Sequence, residues 1–596
     1  MEEKPSKRPR RTSPARSVND DGTETADFLT AATTTSTTST TNSNNKTPTN
    51  QELFLDASQT PVIKLFASIE DLKLRQDLGS REITMSSSSH LNYIMTLREI
   101  LGLDPIWKPF KGSHNPTTIA QGYPGRKSIE WFALSNFLCD FSFLMEEHPE
   151  LLSVRNKVFF TQSGGGNNPD SWRFLDPSAD FCPLNPKEEP STYGTPTTNP
   201  LQYKFDYGSH HTKMFLVGME DRLRVVVSTA NIGKVDLELQ ANGAFVQDFP
   251  FKSSVKAAAA PSSLGDDFEK TLIHYFESYG YRTKKQWSNG GPARTLVDQL
   301  AQYDFSNAKA ILIPSIPGYH AILPEGEQRP REGRATKPLQ GYLKLKNAIQ
   351  THANVPSSHS STRYGPVVSQ FSSIGSLSEK WLKDFATSLS VVPPTITNSM
   401  GKQQPDLVDM IKLVWPTISE IEGSNQGISG GAAVPGRIKN LTKKCVKPLL
   451  CKWTTTKTTL TSTNNSMMIH KPRSIPHIKT FFQLQHQHRM ITNADNGSSN
   501  NKEKSPSFAW FCMGSQNLSK AAWGEIINGK FGKCHRVVSW EMAVLICPSI
   551  MGKRLVPFTG RGEQEGGDMP IPLPYDSIPQ RYCSPNDQPW NIDYMA

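Results

Sequence analysis

The sequence predicts an α/β fold made of two similar domains that follow one another along the chain. Runs rich in β-branched and aromatic residues alternate with runs whose apolar residues recur at helical spacing, and this alternation is typical of α/β layers. A second observation is a loose internal repeat, because the same succession of a motif and a strand occurs once in each half of the 596 residues. Together these patterns predict one layered unit in each half.

Four short apolar runs are predicted to be strands because they are rich in β-branched and aromatic residues. They are LRVVVSTAN (Leu223–Asn231), AILIPSI (Ala310–Ile316), FAWFCMGSQN (Phe508–Asn517) and EMAVLICPS (Glu541–Ser549). Two further runs have the spacing of amphipathic helices, namely FEKTLIHYFESYG (Phe268–Gly280) and SEKWLKDFATSL (Ser378–Leu389). Gly280 lies at the end of the first helix, where glycine is a common stop signal.

Residues 1–58 are predicted to be a tail without a folded core, because stretches such as AATTTSTTSTTNSNN are polar and of low complexity. The segment PSIPGYH, which ends at His320, is expected to link the two domains. The predicted domains therefore comprise residues 59–322 and residues 323–596. Polar inserts, among them GSNQGISGG from Gly423, predict surface loops on this scaffold.

The composition is that of a basic protein, with a net charge of +10 and a pI near 9.0. This balance favours anionic partners such as nucleic acid or an acidic membrane surface, although solubility alone explains it equally well. The eight cysteines are scattered, none at zinc-binding spacing, and no apolar run approaches the ~18 residues needed to cross a bilayer. We therefore expect a reduced, intracellular protein. The basic cluster Lys4–Arg11 (KPSKRPRR) is typical of a nuclear import signal, with a merely charged tail as the alternative.

The chemistry is predicted from two His-x-Lys motifs, which are His211-Thr212-Lys213 and His477-Ile478-Lys479. On a strand, residues i and i+2 point to the same face, so each motif would present an imidazole beside an ammonium group. A single tripeptide of this kind would be unremarkable. Each of these motifs, however, is followed by a predicted strand that ends in an asparagine, Asn231 or Asn517. The repeated context predicts that both motifs serve one active site.

These residue types suit phosphoryl transfer. Two lysines and two asparagines can hold the oxygens on which negative charge grows during attack on a phosphodiester. Imidazole suits nucleophilic and acid–base chemistry at neutral pH. One histidine can attack phosphorus and form a covalent phosphohistidine, while the other protonates the leaving oxygen and then activates water. This scheme requires no metal ion.

The pattern resembles the phospholipase D superfamily and, more narrowly, its tyrosyl-DNA phosphodiesterase branch. Most of the superfamily has an aspartate five residues after the lysine, where this chain has Gly218 and Leu484. The resemblance lies between Ser209 and Asp576, in the segments GSHHTKM, RVVVSTAN, QFSSIGSL, PHIKT, SQNLSKAAWG, WEMAVL and PIPLPYD. SQNLSKAAWG together with PHIKT is very specific. The resemblance implies two α-β-α sandwich domains related by pseudo-twofold symmetry, with the active site at their interface.

The resemblance implies a role for each matched residue of this site. His211 would be the nucleophile and His477 the general acid and base. Glu541 matches a carboxylate that orients His211. The family usually has a glutamine that orients the second histidine, and this chain has Asn242 there, one methylene shorter. The phosphate would be held by Lys213, Lys479, Asn231 and Asn517.

The resemblance also implies a groove for DNA. In the family QFSSIGSL lines this groove, where small residues and hydroxyl groups suit close approach to phosphates. Tyr207 takes the place of an aromatic residue that stacks on a base. The implied DNA contacts are Tyr207, Ser373, Gly375, Ser376 and Ser519.

The implied activity is hydrolysis of the 3′-phosphotyrosyl bond between DNA and a stalled type IB topoisomerase, which leaves a 3′-phosphate. Other 3′ adducts are expected substrates. The expected partners are DNA with a single-stranded or nicked 3′ end and the topoisomerase I-derived peptide. We expect a nuclear monomer that needs no metal ion, no other cofactor and no membrane.

Two other functions stay open at this point: another nuclease or phospholipase of the superfamily, and a DNA-end-binding protein without catalysis. Single residues also have alternatives. His210 adjoins the first motif but should point to the opposite strand face. The lysine-rich stretch Arg437–Lys457 could bind DNA or be a solvated loop. Lys520 and Trp523 could face DNA, although a helix start with a packed tryptophan is favoured.

Overall fold

The structure is a computed structural model, and it describes residues 63–66, 94–103, 129–154, 156–162, 172–175, 197–198, 209–253, 263–279, 294–322, 338–353, 362–392, 406–454, 474–487, 506–529, 532–558, 567–583 and 585–595. The predicted tail with its basic cluster, and Tyr207, lie outside these residues. Within the described ranges no helix has both the length and the apolar character that a membrane crossing requires. The seven cysteines in these ranges are free thiols.

The strands of the described residues are numbered in chain order. They are β1 (Ile63–Phe66), β2 (Ile94–Met95), β3 (Ile129–Asn136), β4 (Asn156–Gln162), β5 (Trp172–Leu175), β6 (Thr197–Thr198), β7 (Met214–Met219), β8 (Arg222–Ser228), β9 (Gln240–Ala241), β10 (Gly243–Pro250), β11 (Ile311–Ser315), β12 (Gly318–Ala321), β13 (Thr362–Gln370), β14 (Ile411–Val414), β15 (Leu450–Cys451), β16 (Ile475–Pro476), β17 (Thr480–Gln487), β18 (Ser507–Gly514), β19 (Glu525–Gly529), β20 (Gly532–Val537), β21 (Glu541–Ile546), β22 (Leu555–Phe558) and β23 (Met569–Pro572).

The α-helices of the same residues are mostly short. They are α1 (Leu97–Ile100), α2 (Phe141–Glu147), α3 (Lys234–Glu238), α4 (Ser263–Glu277), α5 (Leu296–Leu300), α6 (Gly341–His352), α7 (Glu379–Leu389), α8 (Leu407–Met410), α9 (Ile418–Glu422), α10 (Gly427–Gly430), α11 (Ile438–Leu441), α12 (Lys520–Trp523) and α13 (Pro548–Met551). Single 3₁₀ turns occur at Pro149–Ser153, Gly431–Ala433, Lys447–Leu449 and Ile592–Met595.

Two large sheets organise the described residues. The first has the strand order β2-β1-β10-β8-β7-β3-β4-β5-β6, and the second has the order β11-β21-β18-β17-β13-β14-β15, with β22 and β23 joined to β18. In the first sheet β7 is antiparallel to β3 and β8, β3 is parallel to β4, and β8 is antiparallel to β10. In the second sheet β17, β13, β18, β14 and β21 repeat these relations. The strand that follows each His-x-Lys motif is therefore central in its sheet.

Apolar side chains of the two sheets meet in one shared core. Along β7, Met214 and Leu216 belong to this core. Phe215 and Val217 face the opposite side of the first sheet, where α1 and α2 pack. The shared core contains Phe268 of α4, whereas α6 and α7 pack on the outer side of the second sheet. Both faces of each sheet are thus buried, which explains why the strand sequences are apolar without alternation.

The predicted α/β class and the predicted elements are confirmed. The four predicted strands correspond to β8, β11, β18 and β21, and the two predicted helices correspond to α4 and α7. The helix α4 ends at Glu277, and Gly280, the predicted stop signal, lies outside the described residues.

Two details of the predicted organisation differ from the structure. GSNQGISGG forms α10 and the start of a 3₁₀ turn rather than a surface loop, and a Cβ on Gly431 would lie 1.9 Å from Cζ2 of Trp590. The strand β11 precedes the predicted domain boundary at residue 322, yet it pairs with β21 of the second sheet. The change from the first sheet to the second therefore comes between β10 and β11.

A buried ion pair holds the first sheet and α1 together. Arg224 on β8 contacts Asp248 on β10 through two hydrogen bonds, 2.6 Å from Nε to Oδ1 and 2.8 Å from Nη2 to Oδ2. Nη1 of the same arginine donates to the carbonyls of Glu99 and Ile100, in the last turn of α1. Both partners are almost completely buried.

Asp248→Ala should destabilise the protein by about 3–5 kcal/mol, because it leaves the Arg224 guanidinium buried without its counter-charge. Urea unfolding of the full chain measures this loss. The matched control is Lys270→Ala, which removes an exposed ion pair with Asp266 and should change stability by less than about 0.5 kcal/mol. Equal losses in the two variants would contradict the prediction.

Candidate active site

Each His-x-Lys motif lies in an extended segment that leads directly into a central strand, rather than on the strand as predicted. β7 begins one residue after Lys213, and β17 begins one residue after Lys479. In each motif the lysine Nζ donates to the backbone carbonyl of the motif's own histidine, at 2.9 Å for His211 and 2.5 Å for His477. The ammonium group of each motif is therefore held against the backbone of its own histidine.

Backbone hydrogen bonds tie each motif to the opposite sheet. The amide of His211 donates to the carbonyl of Trp540 (2.9 Å), directly before β21. The amides of His477 and Ile478 donate to the carbonyl of Ala241 (3.1 and 2.6 Å), directly before Asn242 and β10. Each motif is thus held by the segment that leads into a strand of the other sheet, and the two motifs meet in one place.

The imidazole of His211 is oriented by a carboxylate. Nδ1 of His211 lies 2.9 Å from Oε2 of Glu541, the first residue of β21. An ionised carboxylate only accepts hydrogen bonds, so Nδ1 carries the proton and Nε2 presents its lone pair. No residue of the described part of the chain forms a hydrogen bond with that Nε2.

The imidazole of His477 is oriented by an amide. Nδ1 of His477 lies 3.1 Å from Oδ1 of Asn242. The same Oδ1 accepts from Thr229 Oγ1 (2.8 Å), and Nδ2 of Asn242 donates to the backbone carbonyl of Asp236 (2.8 Å). Because the carbonyl of Asp236 fixes which end of the amide is nitrogen, His477 must donate through Nδ1. The shorter side chain of Asn242 therefore reaches the histidine.

Both lysines are buried ammonium groups. The side chains of Lys213 and Lys479 are inaccessible to solvent. Burial lowers the pKa of Lys213 to about 7, although the nearby carboxylates of Glu541 and Asp236 oppose the shift. Burial also lowers the pKa of Lys479 well below its ordinary value, and the charge of Lys213 lowers it further. Two buried cations in one place favour the binding of an anion between them.

Burial lowers the pKa of both histidines as well. For His211 the Glu541 carboxylate opposes this shift, whereas the charges of Lys213 and Lys479 add to it. The pKa of His477 is lowered well below its ordinary value by burial and then by the two lysines. Without a bound anion, both imidazoles are therefore neutral near pH 7.

The two asparagines follow β8 and β18, as predicted, but they are held in different ways. Oδ1 of Asn517 accepts from the amide and hydroxyl of Ser372 (3.0 and 3.3 Å) and from the amide of Ser373 (3.0 Å). Its Nδ2 is thereby left for a ligand. In Asn231 it is Nδ2 that is held, because it donates to Oδ1 of Asp236 at 2.9 Å.

Sequence reasoning missed two residues that lie at this site. Asp236, in α3, follows Asn231 by only five residues, and a carboxylate so close to a matched asparagine was an available signal. Phe137 directly follows β3, with its ring centroid 5.0 Å from the His211 ring and 5.4 Å from Nζ of Lys213. No local pattern distinguishes Phe137 from the core phenylalanines of the same segment.

The residues predicted to contact DNA form a continuous surface beside Asn517, apart from Tyr207, which the structure does not describe. The amide of Gly375 donates to the carbonyl of Leu518 (3.0 Å), and a Cβ on Gly375 would lie 2.9 Å from Cβ of Ser519. Ser519 caps α12 by accepting from the amide of Ala522. Small residues are therefore required where these two segments meet.

The described part of the lysine-rich stretch, residues 437–454, lies next to this surface and is called the basic stretch below. Nζ of Lys443 donates to Oγ of Ser376 and to the carbonyl of Leu377, both at 2.9 Å. Nδ2 of Asn440 donates to the carbonyl of Ile374 (3.4 Å). Residues 437–447 include five cations and no acidic residue. The stretch is thus neither a free loop nor remote from the site, and it extends the surface that begins at Asn517.

The structure decides between the alternatives that the sequence left for His210, Lys520 and Trp523. His210 is buried, its Nε2 is 2.7 Å from the hydroxyl of Tyr279, and burial lowers its pKa to about 3. Trp523 is fully buried in the core beneath α12, and Lys520 pairs with Glu525 at 2.8 Å. These residues support the fold rather than face the two motifs.

The arrangement can hold a tetrahedral anion between two imidazoles. Each imidazole has its Nδ1 engaged and its Nε2 available, and two ammonium and two amide groups surround the same place. This is the set of donors that stabilises charge on phosphoryl oxygens during in-line displacement. In the described residues no group of three or more His, Cys, Asp or Glu side chains is placed to hold a metal ion.

Comparison with known proteins identifies similar chains. The model of the family described as tyrosyl-DNA phosphodiesterase matches residues 121–583. Tyrosyl-DNA phosphodiesterase 1 of Arabidopsis thaliana is 27% identical over 497 residues, which cover 77% of this chain and 69% of that protein. Tyrosyl-DNA phosphodiesterase 1 of Drosophila melanogaster is 27% identical over 399 residues, which cover 65% of this chain and 58% of that protein. A crystal structure of a mutant yeast tyrosyl-DNA phosphodiesterase 1 shares the fold, with a TM-score of 0.52, 15% identity, and coverage of 89% of this chain and 99% of that one.

Anion binding at this site should weaken as the pH rises. The cationic form of Lys213 attracts the anion, and its pKa of about 7 means that the charge is lost as the pH passes from about 6 to about 9. Sulfate keeps its charge over this range, so calorimetric titration with sulfate isolates the protein's contribution. Lys213→Met should bind sulfate more weakly and with a flatter pH dependence. An affinity of the unsubstituted protein that is constant up to about pH 9 would contradict the prediction.

Proposed function

This chain belongs to the tyrosyl-DNA phosphodiesterase family, and we propose that it hydrolyses the 3′-phosphotyrosyl bond between DNA and a stalled type IB topoisomerase. The product would be a 3′-phosphate end, and other 3′ adducts would also be substrates. One observation supports this proposal most directly. Two imidazoles, each oriented through Nδ1 by the opposite half of the protein, lie with their Nε2 atoms available beside two buried ammonium groups.

The first step would be attack by His211. Its Nε2 forms a bond to phosphorus while the bond to the tyrosyl oxygen breaks, and the leaving oxygen takes a proton from His477. The phosphorylated imidazole of His211 is then cationic, and the Glu541 carboxylate 2.9 Å away stabilises it. His477 is neutral in the absence of an anion. The bound phosphodiester offsets the charges of Lys213 and Lys479, so His477 gains its proton as the substrate binds.

The second step would be hydrolysis of the phosphohistidine. His477, neutral after the first step, takes a proton from water through Nε2, and the resulting hydroxide attacks phosphorus. The bond to Nε2 of His211 breaks and the free 3′-phosphate is released. In both steps the charge on the phosphoryl oxygens is stabilised by Lys213, Lys479, Asn231 and Asn517, which are held in place before the reaction begins.

The two halves of the chain would be two α-β-α domains related by pseudo-twofold symmetry, with the active site at their interface. Support comes from the matching order and directions of β4-β3-β7-β8-β10 and β14-β13-β17-β18-β21. Asn242 precedes β10 and Glu541 begins β21, so the residues that orient the two histidines lie at matching positions. The domains would correspond to residues 59–322 and 323–596, with β11 contributed to the second sheet and β12 paired with β20 of the second half.

The DNA strand would lie along Ser373, Gly375, Ser376 and Ser519, and Tyr207 would stack on a base. The topoisomerase I-derived peptide would lie on the opposite side of the phosphate. The protein would act as a monomer in the nucleus, without a metal ion or other cofactor. Its substrate would be DNA with a single-stranded or nicked 3′ end.

Substitution of the two histidines by alanine should give different results with a 3′-phosphotyrosyl oligonucleotide. His477→Ala should form the phosphohistidine and release it slowly, so a covalent protein–DNA adduct accumulates on a denaturing gel. His211→Ala should bind the oligonucleotide but form no adduct, with turnover reduced by about three orders of magnitude or more. Absence of any adduct with His477→Ala would overturn these roles.

The same assay separates the alternatives. Turnover should persist in EDTA, and its loss on chelation would refute the metal-free mechanism. Faster hydrolysis of phosphatidylcholine vesicles than of the oligonucleotide would favour a phospholipase. Tight binding of the oligonucleotide without release of tyrosine would favour a non-catalytic DNA-end-binding protein. The control is Lys270→Ala, at an exposed position on α4, which reports any activity lost during preparation of a variant.

The basic stretch predicts a second result. Lys439→Glu combined with Lys444→Glu should raise KM for single-stranded substrate by about threefold to tenfold and leave kcat unchanged, because these exposed cations would contact phosphates away from the reacting bond. The slope of log affinity against log salt should fall by about 0.7 for each phosphate that the variant no longer neutralises. Lys270→Glu combined with Lys383→Glu makes the same change of charge elsewhere. If the two double variants raised KM equally, the effect would come from the net charge of the protein and not from this stretch.

A further inference from the structure

Asp236 is a carboxylate beside the phosphate-binding groups that the proposed mechanism has not used. It lies in α3, and its Oδ1 accepts a hydrogen bond from Nδ2 of Asn231 at 2.9 Å. Its backbone carbonyl accepts from Nδ2 of Asn242, which orients His477. The short helix α3 therefore contacts both Asn231, whose amide is proposed to bind the phosphate, and Asn242, which orients His477.

The hydrogen bond from Asn231 decides how its amide is turned. Oδ1 of Asn231 is buried and has no hydrogen-bond partner in the described part of the protein. The carboxylate of Asp236 is therefore the group that holds this amide, and the second N–H of Nδ2 is left to point away from it. Without the carboxylate, the amide could rotate and present its oxygen to an anion, which repels it.

The second half orients its asparagine without any charge. Oδ1 of Asn517 is held by the amides of Ser372 and Ser373 and by the Ser372 hydroxyl. The residue five positions after Asn517 is Ala522, at the place that corresponds to Asp236. Asp236 therefore has no counterpart, and the first half depends on a side chain where the second half uses the backbone.

The charges near Asp236 give it a second effect. The groups that interact with it are Lys213 and Lys479, whose charges oppose the rise that burial causes in the pKa of Asp236. The carboxylate in turn raises the pKa of each lysine, and Glu541 does the same. His211 and His477 lie in the same place and are neutral near pH 7. Glu541 and Asp236 thus offset part of the charge of the two lysines before an anionic substrate binds.

We propose that Asp236 is a positioning residue of this site, which turns the amide of Asn231 toward the phosphate and supplies a negative charge beside Lys213 and Lys479. The inference rests on the proposed function, because it assigns Asn231 to the phosphoryl oxygens. Asp236 itself touches neither substrate nor the reacting atoms, and it transfers no proton. Its effect is carried by the amide and by the two lysines.

Two substitutions separate the two effects. Asp236→Ala removes the hydrogen bond and the charge, whereas Asp236→Asn removes the charge and keeps an oxygen that can accept from Asn231. Both leave the backbone carbonyl that Asn242 contacts, and melting temperatures of both variants report any loss of folding. A suitable substrate is thymidine 3′-(p-nitrophenyl phosphate), a simple phosphodiester whose hydrolysis does not require recognition of tyrosine or of long DNA.

Asp236→Ala should lower kcat about tenfold and change KM less than about threefold, because the amide would stabilise charge that develops during the reaction. Asp236→Asn should keep kcat within about threefold of the unsubstituted protein at its optimum pH. In a chain that already carries Asn231→Ala, Asp236→Ala should lower kcat by less than about twofold, because the amide that Asp236 positions is gone. An equal loss with and without Asn231, or no loss at all, would overturn the proposal.

The pH profile of kcat/KM reports the effect of the Asp236 charge on the two lysines. Asp236→Asn and Asp236→Ala should both shift the alkaline limb of kcat/KM to lower pH, because the lysines lose a carboxylate that keeps them protonated. Asn231→Ala should leave that limb in place. Identical alkaline limbs in all three variants would overturn the electrostatic effect. Hydrolysis of the simple diester without cleavage of 3′-phosphotyrosyl DNA would instead overturn the proposed function alone.

Discussion

Burial of two ammonium groups in one place is the constraint on which the rest of this site depends. Lys213 and Lys479 are removed from water, where each would be strongly solvated, and they repel one another. Such an arrangement is stable only with counter-charges nearby or with partial loss of the protons. Glu541 and Asp236 supply the counter-charges, but they only partly oppose the effect of burial, which lowers the pKa of each lysine. In the proposed function an anionic diester would complete the balance, so binding affinity and charge stabilisation would have the same physical origin.

The exchange of backbone contacts between the two sheets brings these charges together. His211 is held at Trp540, and His477 is held at Ala241. Each contact lies directly before the residue that orients the same histidine, Glu541 in one case and Asn242 in the other. Position and orientation of each imidazole are therefore set by one segment of the opposite half. Neither half by itself contains a complete histidine site.

Within this similar framework the two halves differ in charge. His211 is oriented by a carboxylate and His477 by a neutral amide. A carboxylate stabilises the cation that forms when an imidazole is phosphorylated, whereas a neutral amide lets a proton move on and off. The asparagines differ in the opposite way, with a charged support for Asn231 and a neutral support for Asn517. Similar chain paths thus carry differently charged supports, and this difference is the basis of the unequal roles proposed for the histidines.

Many of the strands and helices, and the candidate reactive groups, could be predicted from local patterns of residues. The apolar runs that became β8, β18 and β21 could be predicted because burial on both sheet faces selects for continuous apolar residues. The His-x-Lys spacing and the asparagines could be found because each is a local pattern that occurs twice. Which groups face one another depends on the tertiary fold, because contacts such as His211 with Glu541 join residues that are 330 positions apart. The tertiary fold also placed β11 in the second sheet and Lys443 against Ser376, and it put the Asp236 carboxylate against Asn231, since partner choice depends on long-range packing that no local period encodes.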